Sequence, residues 1–164
     1  KLESRVYALL LSPVDVARAV DHAIELLAVA AHGRRARVTA DVAKDVGVAQ
    51  ADRPSLDHVL TNLIDNAIKY SPEGASVTVR ARRVGDKVRV SVEDNGPGIE
   101  GRHLGRIFER FYRVDTGRSR ALGGTGLGLA IVRHLCEAMR APVSVESAVG
   151  RGTTFHVDLL ASVD

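Results

Sequence analysis

The chain contains one cysteine, Cys136, so no internal disulfide can form, and that usage fits a reducing compartment. It lacks an apolar stretch able to cross a bilayer: the longest near its start, residues 6–11, falls far short of the roughly 20 residues required. The same run lacks the basic lead and small-residue cleavage site of a secretory signal. No long run of Lys and Arg occurs, and 23 basic against 20 acidic residues leave a net charge of +3. Nucleic acid is therefore not the expected partner. These absences predict a soluble protein. The 164 residues are one domain's length, and 45% hydrophobic content suffices for a single core.

Periodicity organises the rest. Pro13 opens an amphipathic stretch over 14–31, with Val16, Val20, Ala23, Ile24 and Leu27 on one helical face, ended by His32-Gly33. Strand-like runs follow at 36–42 and 47–50. A second helix is predicted over 53–70, stopping where Ser71-Pro72 forbids continuation. Strict alternation over 75–84 and 87–94, joined by Gly85-Asp86, predicts a hairpin. An irregular stretch, 95–125, holds a short helix around 104–110. A third long helix spans 126–139, and strands at 142–147 and 152–160 close the chain. Residues 1–12 read as the tail of a preceding segment, with the domain occupying 13–164.

On the second helix, Leu56, Leu60, Leu63, Ile64, Ala67 and Ile68 form the buried stripe. His58, Asn62, Asn66 and Lys69 are spaced four, four and three apart and stack on the opposite face. Asparagine is a poor helix former, costing roughly 0.5–0.7 kcal/mol against Ala, so two on one line ask for a reason. A neutral amide oxygen can ligate Mg²⁺, whose shell is otherwise phosphate and water, and Lys69 would meet phosphates as a point charge. On its own the line reads equally well as a solvated polar face.

Asp94 shares strand parity with Val88, Val90 and Val92, so it points toward the helix-covered side, where a carboxylate needs a partner. The exocyclic amine of adenine would be one. Gly96 and Gly98 remove side chains where a base would lie on backbone. Taken alone, Asp-Asn-Gly-Pro-Gly also reads as a double turn. Thr153, in register with Phe155, Val157 and Leu159, faces inward and could help hold the base or simply bond nearby backbone.

Gly123, Gly124, Thr125, Gly126, Leu127 and Gly128 run into the apolar helix that carries Ile131, Leu135 and Met139. Glycines feeding a helix N-terminus expose N–H groups to an anion. No Lys-Ser/Thr follows, so this is not a Walker loop, and no apolar strand leads in, so it is not a Rossmann fingerprint. Arg113, Arg118 and Arg120 stud the preceding loop, which suits a lid closing on phosphates.

These segments, in this order, resemble the histidine kinase branch of the gyrase, chaperone, histidine kinase and mismatch-repair ATPase superfamily, over about residues 14–160. Residues 58–70 resemble its N box, 94–98 its first glycine box and 124–128 its second. The run Ile107-Phe108-Glu109-Arg110-Phe111-Tyr112-Arg113 resembles the F box, which points to histidine kinases. The resemblance implies a Bergerat fold: an α/β two-layer sandwich, its mixed five-stranded sheet covered on one face by about three helices. It implies ATP and Mg²⁺ as cofactors. By position, Asn62 would ligate the metal, with Asn66 and Lys69 at the phosphates and Tyr70 near the base. Asp94 would read the adenine amine, Gly96 and Gly98 would line its pocket, and Thr153 would support it. Arg113 would reach the γ-phosphate. Gly124, Thr125, Gly126, Leu127 and Gly128 would bind phosphates, and Phe108 and Phe111 would anchor the lid. Asn62, Lys69 and Arg113 are the expected catalytic residues.

Two departures from the family pattern stand out. His58 sits four before Asn62, where the superfamily's water-activating ATPases carry a glutamate base, which suits transfer to a histidine better than hydrolysis. The third helix ends Met139-Arg140-Ala141-Pro142 rather than in a glycine pair; a left-handed turn kept there would cost ~1 kcal/mol. None of the six histidines has the His-Glu/Asp-x-Arg/Lys setting of a phosphoacceptor. The implied function is the ATP-binding catalytic domain of a two-component sensor kinase. Its partners would be the parent's helical dimerisation and phosphoacceptor domain and a downstream response regulator. The fragment would be cytoplasmic and free of membrane contact, the parent anchored in the cell membrane. The alternatives are a nucleotide-responsive binding module and an anti-sigma-type serine kinase; intact motifs oppose the first and the F box opposes the second.

Overall fold

The computed structural model describes residues 10–114 and 127–162. Its first element corrects the sequence expectation. Val14 and Asp15, expected to begin a helix, belong instead to a strand, β1 (Ser12–Asp15), antiparallel to β3 (Val48–Ala51), with Val14 opposite Ala49. Pro13 lies on this edge strand, where proline's missing N–H is tolerated. The helix α1 (Val16–Leu26) begins only after Asp15, whose extended backbone lets its carboxylate accept the Arg18 N–H at 3.1 Å. It buries Val16, Ala19, Val20 and Ala23. Leu27 interrupts the helix, and α2 (Ala28–Gly33) comes next, so the predicted single helix is two.

After β2 (Arg37–Val42) and β3 comes α3 (Arg53–Tyr70), with the predicted bounds. Asp52 caps it, accepting from Ser55 N at 3.2 Å and Ser55 Oγ at 2.6 Å. Its buried stripe is Leu56, Val59, Leu60, Leu63, Ile64, Ala67 and Ile68. The hairpin of β4 (Ser76–Val84) and β5 (Lys87–Asp94) turns on Gly85, which adopts φ +62°. The short helix α4 (Gly101–Leu104) lies earlier than expected. Residues 105–112 instead form successive i→i+3 turns: Arg106 N donates to His103 O, Glu109 N to Arg106 O, and Tyr112 N to Glu109 O. The helix α5 (Gly128–Ala138) buries Val132 and Cys136, whereas Ile131 from the predicted apolar stripe is 37% exposed. β6 (Val143–Ala148) and β7 (Gly152–Ala161) end the fold.

The sheet has seven strands rather than five, ordered β1-β3-β7-β5-β4-β2, with β6 also pairing β7. The β2–β4 pair is parallel and the others antiparallel, so the sheet is mixed as expected. One edge of β7 is divided: β6 pairs residues 152–157, and β3 pairs 160–161. The strand that no strand-like run announced is β1, an edge strand of only four residues that depends on a distant partner. Val77, Val79 and Ala81 of β4, Val88, Val90 and Val92 of β5, and Phe155, Val157 and Leu159 of β7 join the helices in one core. The opposite sheet face is polar. There Arg80 pairs with Glu93, Arg82 with Asp41 and Arg89 with Asp158, and His156 bridges Ser91 and Glu146.

Candidate functional site

Asp94 ends β5 directly opposite Thr153 of β7. Its Oδ1 accepts from Gly96 N at 2.8 Å and from Thr153 N at 3.2 Å. Burial raises the carboxyl pKa above its ordinary value, outweighing those two N–H donors and the Ser71 hydroxyl, which all favour the charged form. A costly inward carboxylate is thus held in place by N–H donors from its own turn and from β7.

The backbone around it is close-packed. A Cβ on Gly96 would lie 2.8 Å from Ser71 Oγ and 3.0 Å from Asp94 Oδ1. Gly98 adopts φ +80°, and its Cβ would fall 2.0 Å from the Ala148 carbonyl oxygen. Ser147 Oγ binds Ile99 N at 2.7 Å and Thr153 Oγ1 at 2.8 Å, and Gly150 N donates to Pro97 O at 2.7 Å. The segment after Asp94 is therefore moulded onto the β6–β7 turn. Thr153 turns its N–H to Asp94 and its hydroxyl to Ser147, rather than leaving the hydroxyl open to a base.

On α3, Asn62, Asn66, Lys69 and Tyr70 are half-buried and His58 is exposed. Asn62 Nδ2 is buried without a hydrogen-bond partner, and its Oδ1 lies 3.6 Å from where a Cβ on Gly128 would be. The first asparagine of the polar line therefore faces the first residue of α5. Lys69 Nζ pairs with Asp65 Oδ2 at 3.1 Å, an i,i+4 contact. Leu127 and Gly128 stand half-buried at the start of α5. Gly124, Thr125 and Gly126 lie outside the described residues, as do Arg118 and Arg120.

The run 107–113 is anchored at one end. Ile107 is buried, and Phe108 meets Phe155 edge-on with ring centroids 5.9 Å apart. Phe111, expected to anchor likewise, is 62% exposed with φ +66°. Tyr112 takes that role: it hydrogen-bonds His103, and the Arg106 guanidinium stacks 4.6 Å from its ring centre. Arg113 is half-buried.

Three residues of the site escape sequence reasoning. Ser71 reads only as the end of a helix, yet it is 1% exposed and its hydroxyl oxygen lies 2.8 Å from where a Cβ on Gly96 would be. Gly152 reads as the start of a strand, yet at φ +90° any Cβ would lie 2.1 Å from the Asp94 carbonyl oxygen. Arg34 carries no local signal, yet its guanidinium donates to the Ser71 carbonyl at 2.6 Å.

Residues 51–162 match the family model described as histidine kinase-, DNA gyrase B-, and HSP90-like ATPase. The chain belongs to this family. It is 40% identical over 149 residues to the sensor-like histidine kinase SenX3 of Mycolicibacterium smegmatis, covering 91% of this chain and 38% of that protein. It is 40% identical over 123 residues to the phosphate regulon sensor protein PhoR of Pseudomonas aeruginosa, covering 75% and 28% respectively. The chain thus spans well under half the length of these relatives. Among solved structures it resembles full-length ShkA in complex with AMPPNP, with a TM-score of 0.81 and 33% identity over 95% of this chain and 32% of that one. It also resembles the mycobacterial sensor histidine kinase MprB, with a TM-score of 0.77 and 29% identity over 91% and 97%.

Membership of the family makes the end of α5 informative. Arg140 takes the left-handed turn itself, at φ +57°, with Ala141 N donating to Cys136 O at 2.9 Å and Arg140 N to Glu137 O at 3.1 Å. The left-handed turn is made without a glycine.

Proposed function

We propose that this chain is the catalytic half of a sensor histidine kinase, binding ATP with Mg²⁺ and delivering its γ-phosphoryl group to a histidine on a separate helical domain. The observation that carries the reading is the Asp94 site: a half-buried carboxylate whose Oδ1 accepts from the N–H groups of Gly96 and Thr153, beside backbone stripped of side chains at Gly96 and Gly98. An adenine amine is a donor that such an acceptor would recognise. Tyr70 would flank the base, and Thr153 would support Asp94 through its N–H.

Asn62 fits a metal that arrives with the phosphates. It offers a neutral oxygen beside the start of α5, on an amide whose nitrogen still lacks a partner. No cluster of His, Cys, Asp or Glu able to hold a metal by itself occurs among the described residues. A bound Mg²⁺ would offset phosphate charge there, with Asn62 as the protein ligand. Asn66 and Lys69 would hold phosphate oxygens, Lys69 by exchanging Asp65 for them. Leu127 and Gly128, with Gly124, Thr125 and Gly126 before them, would offer N–H groups to the phosphates, and Arg113 would meet the γ-phosphate. The acceptor ring nitrogen attacks the γ-phosphorus, the bond to the β–γ bridging oxygen breaks, and ADP leaves. The protein's part is positioning and charge.

The six histidines include none in a phosphoacceptor setting, so the partner domain must supply one. The parent kinase would be membrane-anchored with this domain in the cytoplasm, and would pass its phosphoryl group to a response regulator. No helix among the described residues is long and apolar enough to cross a membrane. Incubation with γ-labelled ATP tests the reading. Acid-labile label is expected only when the parent's helical domain is added, and acid-stable label would point to serine instead. Stoichiometric acid-labile label on this chain alone would overturn the division of labour.

A further inference from the structure

The run from Glu100 to Tyr112 repeats every three residues. His103 N donates to Glu100 O at 3.0 Å and Arg106 N to His103 O at 2.9 Å; Glu109 N donates to Arg106 O at 2.9 Å and Tyr112 N to Glu109 O at 3.2 Å. Turns of this pitch eclipse side chains three apart, so Glu100, His103, Arg106, Glu109 and Tyr112 share one side of the run. Their contacts bear this out. Glu100 Oε1 lies 3.8 Å from His103 Nε2, and Arg106 Nη2 pairs with Glu109 Oε1 at 3.1 Å. The Arg106 guanidinium also stacks 4.6 Å from the Tyr112 ring centre. Ile107 and Phe108 are turned the other way, Ile107 buried and Phe108 against Phe155.

Tyr112 closes this ladder. Its hydroxyl hydrogen-bonds Nδ1 of His103, nine residues back, with the two ring centres 5.7 Å apart. The His103 side chain is 12% exposed, so water competes little for the bond. The Glu100 carboxylate beside Nε2 favours the ring proton there, which leaves Nδ1 to accept from the phenol. Phe111, just before Tyr112, has left-handed backbone at φ +66° and a side chain that is 62% exposed. A bulky residue keeps such a conformation only where its surroundings fix it. With the Phe111 ring exposed, the fixing falls to Tyr112, tied by its N–H to Glu109, by its hydroxyl to His103 and by its ring face to Arg106. Arg113 follows directly and is half-buried.

We propose that His103, which precedes the F box, is a positioning residue: through the Tyr112 hydroxyl it fixes the backbone from which Arg113 reaches the γ-phosphate. The inference rests on the role proposed above for Arg113. Without the clasp, Arg113 samples more orientations, and its contact with the γ-phosphate weakens. Contacts to the base and the inner phosphates stay.

Calorimetric affinities for ATP and ADP, both with excess Mg²⁺, supply the test. The two nucleotides differ only in the γ-phosphate, so the ratio of their affinities measures what that group adds. His103→Phe keeps a ring without an acceptor, and Tyr112→Phe keeps the ring without its hydroxyl. Each should lower the ratio of ATP to ADP affinity at least about threefold from wild type, by weakening ATP. Both remove the same bond, so the double variant should fall about as far as either single one. Arg113→Ala, as the reference, should lower the ratio about tenfold or more, the loss of a charge-assisted contact. A wild-type ratio in Tyr112→Phe, where Arg113→Ala does lower it, overturns the proposal even if His103→Phe proves too unstable to measure. So do losses that multiply in the double variant, and so does equal weakening of both nucleotides, which is what a residue serving only the fold would show. A wild-type ratio in Arg113→Ala overturns instead the placing of Arg113 at the γ-phosphate.

Discussion

Asp94 is destabilising where it is useful. Its carboxyl pKa is raised in the folded chain, chiefly by burial, so the native state holds the proton more tightly than the unfolded state does. Stability contributed by this group therefore rises as pH falls through the raised value, and it is lowest above that value, where the charge is buried. Asp94→Asn removes the charge yet keeps an oxygen for Gly96 N and Thr153 N. The variant is expected to melt higher than wild type at pH 8, with the difference closing as pH falls. It should also lose about 1.5–3 kcal/mol of ATP affinity, tenfold and upward. Calorimetry on both proteins checks the pair of effects, and a variant that binds ATP normally would remove Asp94 from the base site. At Asn62 the expectation differs in kind. Asn62→Ala should abolish the Mg²⁺ dependence of ATP affinity while metal-free binding persists, and the unpartnered Nδ2 means little folding stability goes with it. Equal loss with and without Mg²⁺ would assign Asn62 to the fold or the base instead.

At the scale of elements, the third long helix carries a measurable strain. Arg140 sits at φ +57°, a region that disfavours side chains by about 1–2 kcal/mol for a non-glycine residue. Arg140→Gly relieves the clash but adds chain entropy to the unfolded state, so a net gain of about 0.5–1 kcal/mol is expected in urea unfolding. A loss would mean that the arginine side chain makes a stabilising contact that outweighs the turn. Helix α3 shows what local pattern can reveal at this scale. Its bounds and all of its buried stripe but Val59 follow from 3.6-residue spacing and the proline just beyond its end, whereas its Asp52 cap is seen only in the structure. The stretch 14–31 shows the limit. Apolar spacing suited a helix throughout, but Val14 is drawn into β1 by Ala49, thirty-five residues away, and an extended Asp15 caps the helix α1 that starts after it.

For the whole molecule, one sheet face packs on helices and the other is laced with ion pairs; on the proposed reading the sheet would present the base site while α3 and α5 would present the phosphate site. On that reading the acceptor histidine comes from a separate domain. Transfer to a separately produced helical domain is therefore bimolecular. Its rate should rise linearly with partner concentration and fall well below that of the tethered kinase, because the tether's effective concentration, of order millimolar for a short linker, is lost. A concentration series with labelled ATP measures it. A rate independent of partner concentration would mean that the two domains associate tightly without a tether.

Much of the site was legible from spacing. Asp94 shares parity with three valines, the asparagines share a helical line, and glycines stand where backbone must be bare; each relation spans a few residues and is set by the periods 2.0 and 3.6. Lys69 next to Asp65 was equally local, and its i,i+4 spacing could have shown it. The seven-strand count, the split edge of β7, Gly152 beneath Asp94, and the grip of Arg34 on the Ser71 carbonyl were decided only by the tertiary structure. Each joins segments tens of residues apart, or places two backbones too close for a Cβ, and local periodicity carries no information about which distant strand or carbonyl will be the neighbour.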